Sequence, residues 1–213
     1  MTRIGIFGGT FDPTHLGHLE AADLARRALK LDEVRFMPAG SPPHRQAAPH
    51  ASASHRLLMV KLAVAGREGF RASDDDLNVT GPSYTWDTLS RLHAQRLAPT
   101  ELFFVLGADA FGEIATWHRY PEVLDAAHFV VIARPGTPLS QVQAQMPELG
   151  PRLIDGASFE HARHDTPRIV LVPGATPDVS STEIRRRVAG GQSVEGLVPP
   201  SVIDYIDRHG LYR

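Results

Sequence analysis

The sequence predicts an α/β fold, a Rossmann-like doubly wound parallel sheet with helices on both faces and a short helical C-terminal segment. Three observations favour this class. Short continuous apolar runs recur along the chain, segments with apolar residues at helical spacing separate them, and glycine-containing turns follow several runs. Apolar runs without polar alternation are typical of strands buried on both faces. Strands that alternate with helices build parallel sheets.

Length and composition set the outer bounds. With 213 residues, 42% of them hydrophobic, the chain is long enough to bury one full core. We expect one domain over residues 1–213, in which residues 180–213 form the C-terminal helical segment. The net charge of −2 argues against a broad basic surface for polymeric nucleic acid. There is no cysteine, no signal-peptide pattern and no apolar run of membrane-spanning length, so we expect a cytoplasmic protein.

Strand and helix patterns alternate from the N-terminus. Helical spacing is clearest where Leu19, Ala22 and Leu29 recur, and the residues before the second helix are rich in Pro, Ser, Ala and His. The first half is predicted to contain strand Arg3–Phe7, helix Gly17–Leu31, strand Glu33–Ala39, loop Gly40–Ala53, helix Ser54–Gly66, strand Phe70–Ser73 and helix Tyr84–Leu97, with Ser83 as its N-cap.

The second half continues the pattern, except that the mixed composition of Ser140–Pro167 gives no assignment. Its predicted elements are strands Glu101–Leu106, His128–Ala133 and Arg168–Val172, and helices Ser181–Ala189 and Pro200–Arg208. Ligands of such sheets bind at the carboxyl ends of the strands. The turns after the first strand, at Gly107-Ala108-Asp109 and at Val172-Pro173-Gly174 should therefore open onto one edge.

The first motif is Gly8-Gly9-Thr10-Phe11-Asp12-Pro13-Thr14-His15-Leu16-Gly17-His18. A strand, a glycine turn and a helix start bring backbone N–H groups and a partial positive charge to an anion, and His15 and His18 would face the same point. The segment matches neither G-x-G-x-x-G nor G-x-x-x-x-G-K-[ST]. A glycine pair alone is usually only a turn, and a lone histidine is usually a surface or capping residue. The combination favours a phosphate site.

The second motif is Val179-Ser180-Ser181-Thr182-Glu183-Ile184-Arg185. Serine hydroxyls and free N–H groups at a helix start, with Arg185 above the same turn, make another anion site. The alternative is a simple capping box of Ser180 with Glu183 on a solvent-facing helix. The presence of the first motif favours the anion site.

The two motifs together resemble those of the nucleotidyltransferase superfamily of adenylyl and cytidylyl transferases. Four further segments narrow the resemblance to bacterial-type nicotinate-nucleotide adenylyltransferases. They are Pro42-Pro43-His44-Arg45; Ser83-Tyr84-Thr85-Trp86-Asp87-Thr88-Leu89; Gly107-Ala108-Asp109 with Trp117 and Leu124 downstream; and Val130-Val131-Ile132-Ala133-Arg134-Pro135-Gly136. The resemblance covers nearly the whole chain apart from Ser140–Pro167.

The resemblance implies transfer of an adenylyl group from ATP to nicotinate mononucleotide, with release of pyrophosphate, in NAD biosynthesis. The acceptor phosphate would attack the α-phosphorus in line, without a covalent enzyme intermediate. The implied catalytic residues are His15, His18 and Arg185. The implied ATP-binding residues are Gly8, Gly9, Thr10, Phe11, His15, His18, Gly107, Asp109, Ser181, Thr182 and Arg185. The implied mononucleotide-binding residues are His44, Arg45, Tyr84, Thr85 and Trp117.

Some roles stay open at this stage. Asp109 would bind either a ribose hydroxyl or the magnesium-bound phosphates, and Trp117 would be either a stacking partner of the nicotinate ring or a half-buried core residue. The resemblance also implies that nicotinate mononucleotide is preferred over the nicotinamide form, at a ring site where Thr85 and backbone donors face no acidic side chain.

The sequence has no cluster with the spacing of a protein-held metal site, so Mg²⁺ is expected to arrive with ATP and to be held by phosphate oxygens and water. The expected partners are ATP and nicotinate mononucleotide, with no nucleic-acid polymer and no membrane. The sequence leaves open whether the chain forms a homo-oligomer.

Three other interpretations are weaker. Pantetheine-phosphate and glycerol-phosphate nucleotidyltransferases share both phosphate motifs but lack Tyr84-Thr85 and Trp117. An inert nucleotide sensor should lack one of His15, His18 or Arg185. Class I aminoacyl-tRNA synthetases share the histidine motif, but this chain is too short and has no basic surface for tRNA.

Overall fold

A parallel sheet of seven strands organises the computed structural model, which describes residues 2–43, 48–133, 139–159 and 164–213. In chain order the strands are β1 (Ile4–Gly9), β2 (Glu33–Pro38), β3 (Phe70–Ala72), β4 (Leu102–Gly107), β5 (His128–Ile132), β6 (Leu153–Asp155) and β7 (Ile169–Val172). Their order across the sheet is β3-β2-β1-β4-β5-β7-β6, and every neighbouring pair is parallel.

Helices cover both faces of this sheet. They are α1 (Leu16–Leu29), α2 (Ala53–Val64), α3 (Thr85–Ala94), α4 (Ala108–Phe111), α5 (Leu139–Gln145), α6 (Gly156–Phe159), α7 (Ser181–Ala189) and α8 (Pro200–His209). One hydrophobic cluster packs α1, α2, α7 and α8 against one face, and a second packs α3 and α4 against the other. The predicted doubly wound α/β fold is confirmed. No helix in the described ranges is both long and apolar enough to cross a bilayer.

The packing of α1 fixes the end of β1. Leu19, Ala22, Ala25 and Leu29 are at most 3% exposed and form the inner face of this helix. Burying a leucine side chain contributes about 1.5–3 kcal/mol, and the small alanines let the helix lie close to the sheet. The first turn of α1 is therefore held directly beyond the carboxyl end of β1.

The unassigned segment Ser140–Pro167 contributes α5, a 3-10 helix at Pro147–Arg152, the edge strand β6 and α6. Strand β6 spans only 3 residues and, within the described part of the chain, pairs with β7 alone. An element this short shows no periodicity in the sequence, which is why the prediction missed it.

The predicted N-cap of α3 is wrong. The capping position is Tyr84, whose side chain makes no capping bond. The Ser83 hydroxyl instead accepts hydrogen bonds from the backbone N–H groups of Gly40 (2.9 Å) and Ser41 (3.2 Å). A serine next to a helix start serves either purpose equally well, and here the approach of the loop after β2 decides between them.

His128 is a buried histidine at the start of β5, far along the sheet from the helix starts of α1 and α7. It is 1% exposed, stacks on Phe103 with 4.8 Å between ring centroids, and accepts the Arg168 N–H at Nδ1 (2.9 Å). Burial, helped by the nearby His164 and Arg3 side chains, lowers the pKa of His128 to about 4. The ring is therefore neutral at neutral pH.

This histidine should make the fold acid-sensitive. Its pKa is near 6.5 in the unfolded chain and about 4 in the folded one, so the unfolded state takes up the proton first. The stability that the neutral His128 ring contributes is complete above pH ~6.5 and is lost as the pH drops towards ~4. Between about pH 7.5 and about pH 5.5, we expect His128 to remove about 1.4 kcal/mol from the free energy of unfolding.

Denaturant unfolding of the wild type and of His128→Gln at the two pH values measures this contribution. The variant should lose less stability on acidification than the wild type does, by about 1.4 kcal/mol. His209→Gln, at an exposed position of α8, is the matched control and should follow the wild type. Equal losses in wild type and His128→Gln would contradict the assignment.

Candidate active site

A cavity of about 300 Å³ opens at the carboxyl edge of the sheet, beside the ends of β1 and β4. The strand order reverses between these two strands, and such a switch point is the usual ligand site of a doubly wound sheet. Six residues that the sequence analysis selected line this cavity: Gly8, Gly9, Thr10, Tyr84, Thr85 and Trp117. The fold thus brings part of the predicted ATP set and part of the predicted mononucleotide set to one space.

The last two residues of β1, Gly8 and Gly9, pack closely against aromatic rings. A Cβ at Gly8 would lie 3.2 Å from the Phe104 ring, and one at Gly9 would lie 3.1 Å from the Phe11 ring. Phe11 itself is 2% exposed and has a φ of 50°. The end of β1 therefore runs close to two aromatic rings, and a side chain on either glycine would require its ring to shift.

The two histidines of the first motif lie side by side at the start of α1. Their rings stack with 3.6 Å between centroids and an interplanar angle of 23°, and His15 is the N-cap residue of α1. The His15 N–H donates to Nδ1 of His18 (3.2 Å). A nitrogen that accepts carries no proton, so the neutral His18 ring has its proton on Nε2. His18 therefore offers an Nε2–H donor.

Gly17, between the histidines, provides space for this arrangement. A Cβ there would lie 3.1 Å from the His15 ring and 3.0 Å from the Val179 side chain. Val179 precedes the second motif, so any side chain at position 17 would push apart the two segments that carry the motifs.

The second motif is joined directly to the first. The Ser181 hydroxyl donates to the Pro13 carbonyl (2.9 Å), and the Arg185 guanidinium donates to the Asp12 carbonyl (2.7 Å) and to the Thr182 hydroxyl (3.2 Å). The starts of α1 and α7 consequently face the same region, each with a partial positive charge. This joined pair of segments, which the sequence analysis predicted to bind phosphate, is called the phosphate cradle below.

The capping box weighed for α7 forms only in part. Ser180 accepts the Glu183 N–H as N-cap (3.2 Å). The Glu183 carboxylate turns to Arg186 and Arg187 instead, both at 2.7 Å, and these hydrogen bonds lower its pKa to about 2. Arg186 and Arg187 are thereby paired with Glu183, whereas Arg185 donates to the Asp12 carbonyl of the first motif.

Asp12 lies at the centre of a buried network that the sequence analysis did not single out. Its carboxylate is fully buried and accepts the N–H groups of His50 (2.8 Å) and Ala51 (3.0 Å) and the Tyr212 hydroxyl (2.8 Å). Burial and the Asp12 charge raise the pKa of Tyr212. The C-terminal end of the chain is thus fastened to the phosphate cradle.

Arg56, the second unanticipated residue, is 1% exposed and donates to the carbonyls of Thr10 (2.8 Å), Ala51 (3.3 Å) and Gly40 (3.4 Å). The sequence contains a signal for it, because Arg56 shares the i, i+3, i+4, i+7 face of α2 with the buried Met59, Val60 and Ala63. No comparable signal exists for Tyr212, which meets Asp12 across 200 positions.

On the far wall, Trp117 both lines the cavity and packs edge-to-face on Phe104 (5.9 Å between centroids). The two roles that the sequence left open for this residue are therefore compatible. The rings of Tyr84 and His118, which both line the cavity, stack with 4.4 Å between their centroids. Thr85 is the first residue of α3.

The cavity that holds Thr85 and Trp117 also has an acidic side chain in its lining, which the sequence analysis did not expect. Asp76 lines the same cavity and is 5% exposed. It accepts the Thr88 hydroxyl (2.8 Å) and pairs with the Arg91 guanidinium. Burial raises the pKa of Asp76 in spite of these two partners. No local pattern indicates this position, because Asp74-Asp75-Asp76 has the composition of a solvated turn.

The remaining predicted residues are more scattered. Gly107 ends β4 and Asp109 stands exposed in α4, at the same edge of the sheet but not in the cavity lining. His44 and Arg45 lie outside the described residues, as does the end of the Val130–Gly136 segment. Within the described ranges, no three His, Asp or Glu side chains form a group that could hold a metal ion.

Comparisons of this chain with known proteins identify its family. The cytidylyltransferase-like family matches residues 6–187. A protein of Desulfatibacillum aliphaticivorans named "Probable nicotinate-nucleotide adenylyltransferase" is 42% identical over 99% of both chains. One with the same name from Pseudomonas fluorescens is 42% identical over 99% of this chain and 97% of its own.

A solved structure supports the fold. The nicotinic acid mononucleotide adenylyltransferase of Plasmodium falciparum, in complex with NaAD, superposes with a TM-score of 0.72 over 100% of this chain and 98% of its own, at 18% identity. The family match and the full-length relatives agree with the two joined motifs at the switch point. This chain therefore belongs to the cytidylyltransferase-like nucleotidyltransferases and, within them, to the nicotinate-nucleotide adenylyltransferase family.

Proposed function

We propose that this enzyme transfers the adenylyl group of ATP to nicotinate mononucleotide, giving nicotinate adenine dinucleotide and pyrophosphate. The observation that carries the proposal is the phosphate cradle next to the cavity. The Arg185–Asp12 and Ser181–Pro13 hydrogen bonds hold two helix starts and the His18 ring around one region. Helix starts, an arginine and a histidine N–H are the groups that bind and stabilise polyphosphate.

The proposed chemistry is a direct displacement. A phosphate oxygen of the mononucleotide attacks the α-phosphorus of ATP, the new O–P bond forms, and the bond to the bridging oxygen of the β-phosphate breaks as pyrophosphate leaves. The substrate supplies the nucleophile, so the protein has to align the groups and stabilise charge. His18 Nε2–H is proposed to donate to the oxygens that gain charge, while Ser181, Thr182 and Arg185 bind the departing phosphates.

The cavity is proposed to take the nicotinate ring of the acceptor. Trp117 offers an indole face, and the start of α3 at Thr85 offers backbone N–H groups and a partial positive charge. His44 and Arg45 are proposed to bind the mononucleotide phosphate. A charged ring carboxylate suits a helix start better than a neutral amide does.

Mg²⁺ is proposed to enter with ATP. The ion takes oxygen ligands and keeps several waters, so phosphate oxygens satisfy it without a dedicated protein site. When bound, it neutralises phosphate charge. The groups of the chain that would share this task are Arg185 and the helix starts of the cradle.

The test is pyrophosphate release from ATP with four acceptors in parallel: nicotinate mononucleotide, nicotinamide mononucleotide, phosphopantetheine and glycerol phosphate. We expect turnover with the first, and kcat/KM for the second to be lower by roughly one to two decades. A parallel series with CTP in place of ATP serves as the donor control. Equal use of all four acceptors, or turnover with only the last two, would overturn the proposal.

A further inference from the structure

We infer that Arg91 determines the acceptor specificity of this cavity by cancelling the charge of Asp76 in its wall. The inference rests on the proposed function, since it concerns the choice between an acidic and an amide pyridine ring at that site. Asp76 shares the cavity lining with Thr85 and Trp117, the two residues proposed to hold the ring.

The Asp76 carboxylate is buried in the wall of the cavity. The side chain of Asp76 is only 7% exposed, so water screens its charge little. Left alone, this carboxylate would disfavour a ring that carries a second carboxylate. It would also accept a hydrogen bond from the NH₂ of a ring amide. A cavity with a bare Asp76 should therefore favour the amide acceptor.

The positive charge that compensates Asp76 comes from α3. Thr88 and Arg91 lie three residues apart on α3 and so reach Asp76 from the same face. Thr88 donates a neutral hydroxyl to both carboxylate oxygens, at 2.8 and 3.0 Å, and supplies no charge. The Arg91 guanidinium is the positive partner that the structure records for this carboxylate.

Two further charges lie near Asp76, one on Asp75 and one at the start of α3. Asp75 adds further negative potential at Asp76, and its carboxylate is occupied by the Ser73 hydroxyl at 2.7 Å. The start of α3 contributes a partial positive charge at Thr85. Asp76 lies in the cavity lining and Asp75 does not, so the carboxylate charge in the lining is the one that Arg91 cancels. The partial positive charge of the helix start then favours the acid ring.

The experiment compares kcat/KM for nicotinate and nicotinamide mononucleotides at saturating ATP. In Arg91→Gln the acid-to-amide ratio should fall about tenfold or more, because the carboxylate is left uncompensated. In Asp76→Asn the ratio should stay at the wild-type value or rise. The double variant, in which both charges are gone, should return to near the wild-type ratio, and Arg91→Lys should keep the wild-type ratio. Arg27→Gln, in an exposed ion pair on α1, is the matched control.

The fall of the acid-to-amide ratio in Arg91→Gln separates this inference from a structural role, which would reduce turnover of both acceptors together and leave the ratio unchanged. An unchanged ratio in Arg91→Gln, or shifts in the same direction for Arg91→Gln and Asp76→Asn, would overturn it. If Arg91→Gln does not fold, a fall of the ratio in Asp76→Asn or in Arg91→Lys would overturn it as well. Failure of the wild type to use either mononucleotide would instead refute the proposed function, and the inference with it.

Discussion

Replacing His18 by alanine is expected to lower kcat about 10²–10³-fold, the usual effect of losing one donor to developing charge. The hydrogen bond from the His15 N–H to Nδ1 fixes the proton on Nε2, so the wild-type ring presents a donor without rearrangement. Gly17 and the stacked His15 ring hold that donor in place. Alanine removes the donor but keeps α1 intact, since alanine favours helices.

Steady-state kinetics with both substrates measure this effect, and calorimetry with a non-hydrolysable ATP analogue measures binding separately. Binding should weaken far less than kcat falls, because the other groups of the phosphate cradle remain. His209→Ala, on the exposed face of α8, should behave as the wild type. Near-normal turnover in His18→Ala would show that His18 is not the catalytic donor.

Replacing Arg56 by methionine is expected to lower the free energy of unfolding by about 3–5 kcal/mol, because three buried acceptors lose their donor at about 1–3 kcal/mol each. The guanidinium is 1% exposed and donates to carbonyls of three separate segments, at Thr10, Gly40 and Ala51. Methionine fills much of the volume but donates nothing, so these carbonyls lose a charged donor in a buried region. For a chain of this length, Tm should fall by about 10 °C.

Thermal and denaturant unfolding of the purified variant check this value. Arg27→Met is the matched control, because Arg27 is 61% exposed and pairs with Glu20 and Asp23 on the helix surface. An exposed pair is worth at most about 1 kcal/mol. If the two variants lost similar stability, the three carbonyls would not depend on Arg56, and the network would have to be explained in another way.

Local pattern was sufficient for much of this molecule. Continuous apolar runs located strands such as Glu101–Leu106, seen as Leu102–Gly107, because a strand covered on both faces needs apolar residues at every position. The glycine-histidine and serine-arginine motifs were visible for a similar reason, since each consists of neighbouring residues whose spacing suits the start of one helix. Their resemblance to nicotinate-nucleotide adenylyltransferases agrees with the relatives at 42% identity.

Contacts between distant segments lay outside the reach of such patterns. Asp76 is an unremarkable acid in a polar turn until the start of α3 and the loop at Trp117 close a cavity over it. Ser83 has the sequence context of an N-cap, but its hydroxyl instead accepts the N–H of Gly40, in the loop after β2. Strand β6 exists because β7 offers it an edge.

By itself, the sequence determined most of the strands and helices outside Ser140–Pro167, and it located the two motifs that are proposed to bind phosphate, because those properties depend on neighbouring residues. Only the tertiary structure decided that Arg185 meets the Asp12 carbonyl, that Tyr212 meets the Asp12 carboxylate, and that Asp76 lines the cavity at the carboxyl edge of the sheet. A buried polar group takes whichever partner the packed core brings within hydrogen-bond distance. That choice is made by the arrangement of whole helices and strands around the sheet.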